Sequence, residues 1–154
     1  MNNKALLIAV SFTAAAVTFA FAHGGATGIV KQRMDSMMVM GKSLDAVADM
    51  FKGKTKYDPQ LIATSADELR KHAIEIEAMF PDTPDSRKGR ATEALPEIWE
   101  RNNEFLSIAA QLAADATELK NAALMGNQQA VRKVFGNVAK TCSACHRDFR
   151  KSKN

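Results

Sequence analysis

Cysteine is scarce in this 154-residue chain, which has two, and tryptophan and tyrosine occur once each, as Trp99 and Tyr57. Alanine, leucine, lysine and glutamate are plentiful instead, a balance that favours helix over sheet. No stretch alternates apolar and polar residues as a strand does, and no repeat appears beyond heptads. Beyond residue 22 no apolar run is long enough to cross a bilayer. Aromatic and basic residues are not interleaved, which argues against nucleic acid as a partner. The length suits one domain with one core.

The first segment, MNNKALLIAVSFTAAAVTFAFA, has Lys4 followed by an apolar run to Ala22 and closes on Ala20-Phe21-Ala22. A basic start, a short apolar region and a small-residue site describe a secretory leader. Residues 1–22 are therefore expected to be removed, leaving residues 23–154 as one exported domain without stable membrane insertion. Loss of Lys4 takes the formal charge from +4 to +3. Arg147, Arg150, Lys151 and Lys153 gather at the C-terminus, where cations suit a helix end and could also meet an acidic partner.

Four apolar stripes follow at helical spacing. The first runs Val30, Met34, Met37, Gly41, Leu44, Ala48 and Phe51, and Gly53 stops it. Asp58-Pro59 reads as a cap with proline at the first helical position, opening a stripe of Ile62, Ala66, Leu69, Ala73, Ile76 and Phe80. A polar connection over residues 81–94 leads to a third helix near Leu95-Pro96, with Ile98, Asn102, Phe105, Ala109, Leu112, Ala116, Leu119 and Ala123 on its seam. Gly126 ends it and Asn127 caps the last helix, whose stripe is Val131, Phe135, Val138, Cys142, Cys145 and Phe149. Four amphipathic helices with mostly short links predict an all-α, antiparallel four-helix bundle.

Both thiols lie in Cys142-Ser143-Ala144-Cys145-His146, three residues apart on one face. A redox disulfide normally sits in a βαβ setting, and zinc needs a second ligand pair; neither is present. Cys-x-x-Cys-His is the attachment signature for haem c, with the thiols adding to the vinyl groups and the histidine becoming an axial ligand. One covalent haem would also supply apolar volume between alanine-rich seams at Ala66, Ala73, Ala109, Ala116 and Ala123. With the first and last helices adjacent and antiparallel, His146 should face Met34 or Met37, and Met37 is the better placed. Met38 lies off the seam, and Met34 and Met40 read first as core methionines.

The mature chain resembles the class II cytochromes c, which include the cytochromes c′. Cys142 to His146 with Arg150 carries the resemblance, as do Arg33 with Met37 four residues on, the Phe80-Pro81 turn, Pro96 to Trp99, and Phe105. The resemblance implies a bundle with haem near one end. Arg33 would pair with a haem propionate, and Arg150 would be the basic residue near His146. It implies a five-coordinate, gas-binding iron where the position of Met37 holds leucine or phenylalanine, and a six-coordinate electron carrier where it holds methionine. Met34 departs from the glutamine common there.

The expected function is thus periplasmic electron transfer to redox partner proteins, with His146 proximal and Met37 distal. The alternative is a five-coordinate haem binding nitric oxide or carbon monoxide. No acid–base residue is expected on the distal seam, Asp35 pointing outward, so an enzyme is not expected. Trp99 is expected at or near the haem edge with its N–H on an acceptor. His72 reads as a surface residue. His23, at the new N-terminus, reads as a frayed end, with copper chelation the sharper alternative. Pairing of two copies is left open.

Overall fold

The computed structural model describes residues 24–152; the leader of residues 1–22, His23 and Lys153 lie outside them. Six helices occur in order: α1 Gly28–Phe51, α2 Pro59–Met79, α3 Pro84–Lys88, α4 Glu97–Glu100, α5 Asn102–Leu124 and α6 Gln128–Phe149. The four long ones, α1, α2, α5 and α6, form the bundle. The caps are those the sequence names. Asp58 accepts from the backbone N–H of Gln60 and Leu61 at 2.9 and 3.1 Å, with Pro59 beginning α2. The Asn127 side chain accepts from Ala130 N–H at 3.0 Å.

The central pair is α2 and α5, which pack along most of their length, while α1 leans on α2 and α6 on α5. The expected seams of α2 and α5 are the buried ones: Ile62, Ala66, Leu69, Ala73 and Ile76 meet Phe105, Ala109, Leu112, Ala116, Leu119 and Ala123. Ala66, Ala73, Ala116 and Ala123 belong to one core cluster. Their small side chains let the two backbones approach, so the expectation that they leave room for a cofactor is corrected; of the five alanines, only Ala109 lines the cavity described below.

Helix α1 differs more. Its buried residues are Val30, Arg33, Ser36, Met40, Val47 and Met50; of these only Val30 belongs to the expected stripe, whose Met34, Met37, Gly41 and Leu44 are not buried. Those four remain partly exposed because they line a cavity, although Met37 and Leu44 also pack on the core. Helices α1 and α6 do not pack extensively on each other. At one end Phe51 closes the gap, its ring 5.7 Å from Phe135 with the Arg132 guanidinium over it at 4.5 Å. Toward the other end they part.

The connection expected as polar loop contains α3, whose Thr83 side chain caps Ser86 N–H at 3.3 Å. Gly89 ends α3 where a Cβ would stand 2.3 Å from the Asp85 carbonyl oxygen and 2.5 Å from Val30, so only glycine lets α3 press on α1. The third expected helix is split. Arg101 leaves helical geometry (φ −116°, ψ 43°), and the Asn102 side chain donates to the Ile98 carbonyl at 3.3 Å across the break.

Candidate haem site

A cavity of about 540 Å³ opens at the end where α1 and α6 part. Cys142, Cys145 and His146 all line it, one helical turn bringing the three to one face of α6. The end of that helix is pinned: Leu95 N–H donates to the Phe149 carbonyl at 3.1 Å and Lys151 N–H to the Glu93 carbonyl at 2.8 Å. This short antiparallel pairing puts Thr92, Glu93 and Ala94 into the cavity wall. Sequence periodicity carries no signal for that segment.

The electrostatics suit ligation rather than thiol redox chemistry. Burial pushes the Cys142 thiol up, and burial with the neighbouring Cys142 pushes Cys145 up to about 11. Reactive cysteines are shifted the other way. Burial also lowers the His146 imidazole, with Arg150 adding to the effect and Glu93 opposing it. The neutral ring, the form that binds a metal, is therefore favoured. Among the described residues no three His, Cys, Asp or Glu side chains cluster as a metal cage.

Across the cavity stands α1. Val30, Arg33, Met34, Met37, Met38, Met40, Gly41 and Leu44 all contribute to the wall. Met37 packs against both core clusters, so it sits where the closed body of the bundle meets the open end. Met38, expected off the seam, reaches the wall while 43% exposed. Phe105 backs the site, its ring 5.0 Å from Phe80 and 5.3 Å from Phe149 in edge-on contacts.

Arg33 is 5% exposed, and one Nη donates to the Ser86 carbonyl at 2.7 Å and to Ser86 Oγ at 3.2 Å. Its Nε and other Nη have no hydrogen-bond partner, though buried. Burial lowers its pKa accordingly. An under-partnered buried cation on a cavity wall calls for an anion. Arg150 also lines the cavity, from the exposed side. Trp99 does not line it. Its Nε1–H donates to the Phe80 carbonyl at 3.0 Å, its ring lies under Arg87 at 4.8 Å, and it packs behind the site against the second core cluster. The expected acceptor is present, but on the backbone where α2 ends. His72 is also corrected: its side chain is 14% exposed and Nδ1 lies 3.0 Å from the buried Ser36 Oγ, joining α2 to α1.

Paired thiols, a neutral imidazole beside them, an apolar cavity and an unsatisfied guanidinium together fit a covalent porphyrin with its propionates. The fold and site thus define a c-type haem protein built on a four-helix bundle. Comparison with known proteins narrows this. The family described as Cytochrome C′ matches residues 28–150, and the chain belongs to that family, whose cofactor is haem c. It is 32% identical to cytochrome c′ of Rhodopseudomonas palustris over 128 residues, 83% of this chain and 85% of the other. The solved structure of that protein superposes with a TM-score of 0.76, covering 83% and 99% of the two chains. Similarity to a cytochrome c-556 of Agrobacterium tumefaciens is 33% over 126 residues, 82% and 99% of the chains. A variant of cytochrome c prime from Alcaligenes xylosoxidans, solved as its nitric oxide complex, matches with a TM-score of 0.71 at 26% identity, covering 81% and 94%.

Proposed function

We propose that the protein is a periplasmic c-type cytochrome that binds a diatomic gas, nitric oxide or carbon monoxide, on the α1 side of one haem c. Cys142 and Cys145 hold the group through thioether bonds, and His146 is the proximal ligand. Arg33 takes a propionate with the N–H groups that lack partners, and Arg150 sets the charge beside His146. Haem supplies an iron that binds small ligands and exchanges one electron.

The observation that carries this reading is the α1 wall. Val30, Met34 and Met37 present apolar side chains there, two of them flexible methionines that can yield to a small ligand. The similarity to cytochromes c′, one of them solved with nitric oxide, supports gas binding over the electron-carrier expectation. No helix among the described residues is long and apolar enough to cross a membrane.

One observation favours a second reading. Met37 lines the cavity across from His146 and is held by both core clusters. A thioether there could close the sixth position and make the protein an electron carrier for periplasmic redox partners. Absorption and electron paramagnetic resonance spectra of the holo-protein, beside Met37→Ala, separate the two. A high-spin wild type that takes up carbon monoxide when reduced supports gas binding. A low-spin wild type that turns high-spin only in Met37→Ala overturns it in favour of electron transfer.

A further inference from the structure

Asp115 is a carboxylate 6% exposed in the middle of α5, where the seam is otherwise alanine and leucine. Both of its oxygens are occupied. Gln111 Nε2 donates to Oδ1 at 2.8 Å, and Thr141 Oγ donates to Oδ2 at 2.7 Å. Neither donor carries a charge. Thr141 lines the haem cavity and immediately precedes Cys142. Burial is the main cause that raises the Cys142 thiol, and the Asp115 carboxylate acts in the same direction.

We propose that Asp115 is a positioning and tuning residue that holds the haem reduction potential lower than a neutral residue would. Ferric haem carries one more positive charge than ferrous haem. A buried negative charge beside the attachment helix therefore stabilises the oxidised form, and a site largely screened from water weakens that effect less than bulk solvent would. The same contact ties α6 to α5 one residue before Cys142. The inference rests on haem attachment and holds for either state of the sixth position.

The test is a spectroelectrochemical titration of the holo-protein with Asp115→Asn and Thr141→Val. Asp115→Asn removes the charge and keeps the shape. It is expected to favour the ferrous form on the order of tenfold, a rise of about 59 mV for a one-electron couple. Thr141→Val keeps the charge and removes a donor that partly offsets it, so its potential is expected to fall. A merely structural role would move both variants in one direction. An unchanged or lower potential in Asp115→Asn overturns the proposal. If that variant yields no holo-protein, Thr141→Val decides alone: a fall supports it, and no change or a rise overturns it. The absorption spectrum of each variant reports coordination separately, so an error about Met37 is not mistaken for an error about Asp115.

Discussion

Two helix pairs of this bundle carry similar heptads and end differently. Between α2 and α5 the seams are closed: Ile62, Ala66, Leu69, Ala116 and Leu119 have essentially no exposure. Between α1 and α6 the seam is closed only at the Phe51–Phe135 end and opens into the cavity at the other. Small residues explain the first pair, since alanine lets helices approach until backbones nearly touch. Large, unlike residues explain the second. Arg33, four methionines and the pair of thiols do not interlock with one another, and they leave a space that a rigid planar group fills. The closed pair is the scaffold that fixes the open one.

The largest effect on this contrast should come from the closed side. Leu69→Ala or Leu119→Ala removes a fully buried side chain and is expected to cost about 2–5 kcal/mol. Chemical denaturation of the holo-protein checks it, with Leu44→Ala, on the half-buried cavity wall, expected to lose much less. Next, Ala116→Leu wedges α2 from α5 and is expected to destabilise by about 1–3 kcal/mol, read from the same denaturation curves. A change smaller than that of Leu44→Ala would break the comparison. Smallest is Gly136→Ala on α6, where an added Cβ meets nothing within 4 Å. It is expected to stabilise by about 0.5–1 kcal/mol through helix propensity alone.

The thiols sharpen the open side. In chain prepared without haem, Cys145, pushed up to about 11, stays protonated at neutral pH. Its alkylation is expected to be slow at pH 8 and to rise about tenfold per pH unit until that value is approached. A rate that is already fast at pH 8 and levels off by about pH 9, as for an ordinary thiol, would show that the cavity does not bury it.

The reading of the sequence succeeded and failed along the same line. Stripes on α2 and α5 were legible because protein covers them, and apolar spacing reports that directly. On α1, Met34, Met37, Gly41 and Leu44 were correctly apolar, yet they line the cavity partly exposed, while Arg33, Ser36 and Met40, off the expected stripe, are buried. Periodicity finds a face without saying whether a helix or a cofactor covers it. Local spacing put Cys142, Cys145 and His146 on one face of α6, and all three line the cavity. A role for Arg33 came only through resemblance and its burial was not foreseen, and Asp115 was missed because a lone acid on an alanine seam has no motif. Trp99 was drawn too close to the site because its acceptor, a backbone carbonyl, has no sequence signature. Pairing of residues 93–95 with the end of α6 depends on backbone hydrogen bonds between distant segments, which no local pattern announces.

The most direct test of the account is the mass of the mature exported protein under denaturing conditions, with Cys142→Ser/Cys145→Ser beside it. The account predicts residues 23–154 plus one haem for the wild type and the bare chain for the variant. A wild-type mass equal to the bare chain, from cells that attach haem to other cytochromes, would contradict it.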